Sequence, residues 1–110
     1  MRILTLALAL SSLAAAGSAM AAPVTDVGYM QAARCKGLAE GVGQATPSLD
    51  AFLKKQSYVR EDAIVQRGKE EEERGRHEVT SGGQKDKAQA ELSGVCAAYL
   101  KGGADTGAAR

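Results

Sequence analysis

Apolar side chains between residues 25 and 101 recur at three- and four-residue steps, the spacing that gathers them on one side of an α-helix, and nothing in the pattern calls for strands. Behind Thr25 or Asp26 as a cap, Val27, Met30, Gln31, Cys35, Leu38 and Val42 share one face until the glycine-spaced EGVGQ ends the run. A second helix is predicted from QATPSLDAF, where Thr46 or Ser48 caps, Pro47 suits the first turn and Asp50 lies near the positive helix end. At 100° per residue, Leu49, Phe52, Leu53, Val59, Ala63 and Ile64 fall within an arc of about 140°, a core-facing stripe of ordinary width. A third helix follows SGG, with Ala88, Leu92, Val95, Cys96 and Tyr99 on one side and Gly102-Gly103 as its stop. The expected fold is all-α, a small helical hairpin or three-helix domain.

Beyond Val65 the second stripe changes character. Its positions become Arg67, Glu70, Glu71, Arg74 and Glu78, inside the stretch GKEEEERGRHEV that spans residues 68–79. Arg67–Glu71, Glu70–Arg74, Glu72–Arg76 and Glu73–His77 are four-residue pairs, each worth a few tenths of a kcal/mol to a helix. Gly68 and Gly75 each cost about 1 kcal/mol relative to alanine and offset that support. The expectation is a solvated, fraying extension of the second helix.

The N-terminus has a different pattern. Arg2 precedes an apolar run from Ile3 to about Ala16, followed by the small-residue pattern Ala19-Met20-Ala21, the layout of a cleaved secretory signal. The run falls short of the roughly 18 residues that a membrane span requires, so no membrane anchor is expected after cleavage. The predicted organisation is a signal peptide over 1–21, one helical domain over 22–101 and a flexible tail over 102–110, in a periplasmic or secreted protein.

Export gives the cysteines a role. Cys35 and Cys96 are the only two, each lies within an apolar stripe, and an oxidising compartment favours their bonding. A bridge between the first and third predicted helices closes a loop of about sixty residues, worth roughly 4 kcal/mol in the chain-entropy model. Ala32, Ala39, Gly94 and Ala97 beside them would let the backbones approach.

Charge and composition narrow the function. The full chain carries 14 Lys and Arg against 13 Asp and Glu. Losing the signal removes Arg2 and leaves a formally neutral domain, which disfavours nucleic acid or an anionic membrane as partner. One histidine, the absence of tryptophan and the absence of nucleophile-elbow, phosphate-loop or haem-attachment motifs argue against an enzyme and against a cofactor. Glu73 and His77, one turn apart, are weak candidates for a metal because Arg74 and Arg76 oppose a cation and no second histidine exists.

In size and layout alone, the mature chain is similar to exported single-disulfide helical proteins such as acid-activated periplasmic chaperones and the immunity proteins that neutralise secreted toxins. That similarity carries over no functional residue. The favoured expectation is a non-enzymatic protein–protein interaction protein, for example of the immunity type, with Tyr58, Val65, Glu70, Glu71 and Arg74 as the candidate partner surface. The alternatives are an acid- or stress-responsive chaperone, in which Glu70–Glu73 and Glu78 protonate, and a metal carrier using Glu73 and His77. So small a core also leaves room for completion by a second copy of the chain.

Overall fold

The structure, a computed structural model, describes residues 24–102. The predicted signal segment 1–21 and the tail beyond Gly102 lie outside the described residues. Among the described residues five helices follow one another: α1 (Asp26–Val42), α2 (Pro47–Ser57), α3 (Asp62–Thr80), α4 (Lys85–Ser93) and α5 (Ala97–Leu100).

Local chemistry explains where α1 and α2 begin and end. The Thr25 hydroxyl oxygen accepts a hydrogen bond from the Gly28 N–H at 3.0 Å, and Asp26 occupies the first turn of α1. At the other end Gly43 adopts a left-handed φ of 80°, and Gln44 N–H closes onto the Ala39 carbonyl at 2.8 Å. Helix α2 opens with Thr46 and Pro47 as predicted and buries Leu49, Phe52 and Leu53.

The second predicted helix does not run on. It stops at Ser57, turns through Tyr58–Glu61, and restarts as α3 at Asp62. Val59 is 77% exposed, and Ala63 is exposed as well, so the stripe of this helix ends with Leu53, while the half-buried Ile64 packs against the core from α3. The cause is Arg60, whose guanidinium folds back to bond Asp26, the Val24 carbonyl and, at 3.1 Å, the Gln56 side chain. It also stacks over the Tyr29 ring, 5.3 Å from the ring centre. These bonds hold the chain at the start of α1 while it reverses direction.

Reversal lets α3 lie parallel to α1. Gly68 meets Tyr29, Gly75 meets Arg34, Gly37 and Leu38, and Val79 meets Gly41, an order that ascends together on both helices. Helix α2 is antiparallel to α1, with Arg60 against Asp26 at one end and Asp50 against Lys36 at the other.

The α1–α3 contact is the most extensive in the fold, and it is built from glycine. A Cβ at Gly37 would stand 1.9 Å from the Glu72 carbonyl oxygen, and one at Gly75 would stand 2.7 Å from the Arg34 carbonyl oxygen. At Gly41 the clash would be with the Val79 Cβ at 2.6 Å, and at Gly68 with the Tyr29 ring at 2.7 Å. The charged segment is therefore not a solvated, fraying extension. It forms the centre and C-terminal half of a 19-residue helix whose glycine face is pressed against α1. Packing overrides the low helix propensity of Gly68 and Gly75, because removal of their side chains is what admits the neighbouring backbone.

The third predicted helix is also interrupted. Gly94, with φ −97° and ψ −105°, separates α4 from α5 and turns Val95 outward to 73% exposure, whereas Ala88, Leu92 and Cys96 stay buried. Cys35 and Cys96 are bonded, with 5.6 Å between their α-carbons and a sequence separation of 61. The bridge joins the middle of α1 to the start of α5, and α4 packs antiparallel to α1 beside it, with Glu91 against Arg34 and Tyr99 against Gln31. Ala32, Ala33, Leu38 and Ala39 of α1, Leu49, Phe52 and Leu53 of α2, Val79 of α3, and Ala88 and Leu92 of α4 complete the core around the disulfide.

Two stability predictions follow from the seam and the bridge. On a free helix, Gly75→Ala would stabilise by about 1 kcal/mol. In the seam, Gly37→Ala and Gly75→Ala are each expected to destabilise by about 3 kcal/mol because backbone must give way. Gly83→Ala, strained at φ 66° but with open space around it, is expected to lose only about 1 kcal/mol. Urea unfolding midpoints compare the three. Reduction of Cys35–Cys96 is expected to lower unfolding free energy by about 4 kcal/mol, read from the same titration with and without reductant.

Candidate functional site

Three charged assemblies sit on this frame. The first centres on Arg34 in α1. Its Nη1 and Nη2 donate to Oε1 and Oε2 of Glu78 at 3.0 and 2.7 Å, and Nη2 also donates to Glu91 Oε1 at 3.0 Å. One guanidinium thus ties α1, α3 and α4 together in a planar fork suited to two carboxylates. The hydrogen bonds from Arg34 hold the Glu78 carboxyl below the usual carboxylate range, and Arg34 itself is held more firmly in its charged form.

The second assembly crosses the seam one turn away. Lys36 Nζ lies 3.4 Å from Asp50 and 4.0 Å from Glu72, while Arg76 reaches Glu40 at 3.4 Å and Glu73 at 3.6 Å. Between them lies the Glu72 carboxyl, half-buried in the seam. Burial first, and then Glu40, push the Glu72 carboxyl up to about 7, against the pull of Lys36 and Arg76.

The third assembly is the corner between α2 and α3. Tyr58 and Val59 stand side by side there, 76% and 77% exposed, on backbone anchored by the mostly buried Arg60. Turn bonds from the Tyr58 and Val59 N–H groups to the Lys55 and Gln56 carbonyls shape the loop. Exposed Lys54, Lys55, Glu61 and Asp62 flank the corner with both signs of charge.

The residues expected to form a partner surface are not one patch. Tyr58 is at the corner, whereas Val65 is half-buried and lines a cavity of about 280 Å³ between α1, α2 and α3 together with Tyr29, Ala33 and Leu53. Glu70 and Arg74 are exposed roughly 12 and 18 Å along α3 from Asp62, at 1.5 Å per residue. Glu71 is half-buried and accepts a bond from Arg74 at 2.8 Å.

That bond, like Arg76–Glu73, spans three residues, in place of the four-residue pairs expected along the helix. Glu72, Arg76 and Glu78 instead reach across the seam to Lys36, Glu40 and Arg34 of α1. Glu73 and His77 are both exposed, and Glu73 pairs with Arg76 rather than with His77. Among the described residues, no group of three or more His, Cys, Asp or Glu side chains is arranged to hold a metal ion.

A groove of about 450 Å³ runs over the disulfide, lined by Gln31, Arg34, Cys35, Glu91, Val95 and Tyr99. Arg34 and Glu91, its ionisable groups apart from the Tyr99 phenol, are bonded to one another. No helix of the described residues is long and apolar enough to cross a membrane. Comparison with protein-family models, curated proteins and solved structures finds no match.

Sequence reasoning missed Arg34, Lys36 and Arg60 because isolated basic residues carry no periodic signal until a fold supplies their partners. Gly68 and Gly75, one heptad apart, and Gly37 and Gly41, one turn apart, did carry a signal of close packing.

Replacing the fork tests its weight. Arg34→Gln is expected to lose about 1–2 kcal/mol at pH 6, since the three side chains remain about a quarter exposed and solvent screens the pair. Glu78 has its folded-state acidity strengthened, so its contribution is present above the ordinary carboxylate value of 4.5 and is lost as pH falls below it. The difference between Arg34→Gln and the parent is therefore expected to shrink by pH 3, as read from urea midpoints at both pH values.

Proposed function

We propose that the chain is an exported, disulfide-stabilised helical protein of the bacterial periplasm that acts without catalysis by binding a protein partner, for which the α2–α3 corner is the contact point. The observation that carries this reading is the Tyr58–Val59 pair. A large aromatic and a β-branched side chain stand in solvent on a turn that Arg60 holds to the start of α1. Tyrosine offers large contact area for little conformational entropy, and a preorganised loop loses less freedom on binding. The mixed charges of Lys54, Lys55, Glu61 and Asp62 supply the polar rim such a contact needs.

Export is supported by the signal-like N-terminus and by the bonded cysteine pair, which persists in oxidising compartments. An immunity-type protein that neutralises a secreted toxin fits this description. The acid-responsive chaperone reading is less favoured, because of the glutamates it invokes Glu72 is shifted against the loss in acid that such a device needs, while Glu78 is shifted toward it.

A photo-crosslinking residue placed at position 58 of the exported protein is expected to capture one partner, and the same residue at the exposed position 66 of α3 is expected to capture none. Tyr58→Ala should weaken affinity for that partner by about 30-fold, the loss of roughly 2 kcal/mol typical of a central anchor, with an unchanged thermal midpoint. Equal labelling from both positions, or full affinity in Tyr58→Ala, would overturn the assignment.

A further inference from the structure

Helices α2 and α3 both pack on α1 but scarcely touch one another, so beyond the corner they stand apart as two banks with α1 as the floor between them. The cavity of about 280 Å³ is this cleft. Helix α2 lends it positions 50, 53, 54 and 57, and α3 lends it 65, 68, 69 and 72. Both sets follow the spacing of a single helix face, so each bank is about 10 Å long at 1.5 Å per residue.

Helix direction decides what faces what. Because α2 runs antiparallel to the other two, Ser57 and Val65 lie at the corner end, beside the Tyr29 ring. Asp50 and Glu72 lie at the far end, where Lys36 Nζ is 3.4 and 4.0 Å from them. Lys54 and Lys69 therefore stand opposite one another halfway along, one on each bank, level with Ala33.

The two halves differ in character. At the far end the charges are already matched, Lys36 with Asp50 and Glu72, and Asp50 also accepts a bond from the Thr46 hydroxyl at 3.0 Å. Toward the corner the lining is apolar, with the buried Tyr29 and Ala33 on the floor, Leu53 on one bank and the half-buried Val65 on the other. Arg60 over the face of the Tyr29 ring and Gly68 against its edge hold that ring in place. Lys54 and Lys69 are exposed, and neither joins an ion pair among the described residues. An apolar hollow beneath two uncommitted ammonium groups is complementary to a molecule with one anionic end and a hydrocarbon body. The apolar half spans only about 5 Å along the helices, which suits a ring better than an extended chain. Tyr29 offers that ring an aromatic contact.

We propose that the cleft between α2 and α3 binds a small aromatic carboxylate, its ring among Tyr29, Ala33, Leu53 and Val65 and its carboxylate between Lys54 and Lys69. This site is separate from the Tyr58–Val59 contact and needs no protein partner.

An NMR titration of the disulfide-bonded protein with phenylpropionate tests the assignment. The amide signals of Ala33, Leu53 and Val65 are expected to shift saturably at millimolar ligand. Phenylpropanol, which keeps the ring without the charge, is expected to bind about tenfold more weakly, and propionate, which lacks the ring, is expected to give no saturable shift. The double variant Lys54→Met, Lys69→Met keeps the side-chain stems at exposed positions and is expected to bind phenylpropionate about tenfold more weakly while binding phenylpropanol as the parent does. Val65→Phe, which fills the hollow, is expected to abolish binding of both ring compounds with its thermal midpoint read alongside. Absence of a saturable shift at those three amides, equal affinity for phenylpropionate and phenylpropanol, or full phenylpropionate affinity in the lysine double variant would overturn the proposal.

Discussion

The structure depends on backbone-to-backbone contact between two parallel helices that carry glycine where they meet. Parallel neighbours cannot be joined by a short loop, so the chain must travel back before α3 can start. Helix α2 makes that return journey, and its Leu49, Phe52 and Leu53 fill the space beside the seam as it does so. With so few large side chains available, the domain gains density by removing atoms from the interface rather than by adding them. Dispersion between closely spaced main chains takes the place of an aromatic core.

Polar groups fasten what the glycines bring close. Arg60 secures the corner at one end of the α1–α2 pair, Arg34 joins three helices in the middle, and the disulfide holds α4 and α5 to the same stretch of α1. Helix α1 is thus the common partner of every other element. This arrangement leaves the outer surface of the α2–α3 corner free of structural duty while its backbone stays fixed, which is the condition a preformed contact loop requires. It also separates roles along α3: its first turns shape the corner, its centre carries the glycine seam, and its last turns answer to Arg34.

Helix content, the caps of α1 and α2, and the pairing of Cys35 with Cys96 were legible in the sequence because each rests on local chemistry or on a small number of choices. Thr25, Pro47 and two cysteines in apolar stripes leave few readings. The break at Tyr58–Glu61 was not legible, since nothing within those residues opposes a helix and the deciding bonds come from Arg60 to groups that lie more than thirty residues away in the chain. Periodicity analysis assigns the core by counting apolar side chains, so a face made of Gly68 and Gly75 is invisible to it. Both residues score as helix breakers in isolation and act as the closest contacts in the fold. The same blindness misplaced Val65, which is half-buried over a cavity, and Val59, which stands in solvent. The charged pairs were misassigned for a related reason: sequence spacing ranks partners on one helix and cannot rank those on the neighbour that the glycines admit.

The Cys35–Cys96 bridge spans 61 positions of the chain and, among the described residues, leaves outside it the first turns of α1 with the residues before them on one side and the short α5 with the residues after it on the other. Tension applied to the two ends of the domain would pass through the sulfur–sulfur bond and bypass everything between. Helices α2, α3 and α4, together with the C-terminal part of α1, lie inside that covalent ring and are shielded from the pull. A single proteolytic nick within the ring would likewise leave the two pieces joined, so the bridge protects the body of the molecule mechanically and against scission as well as against unfolding.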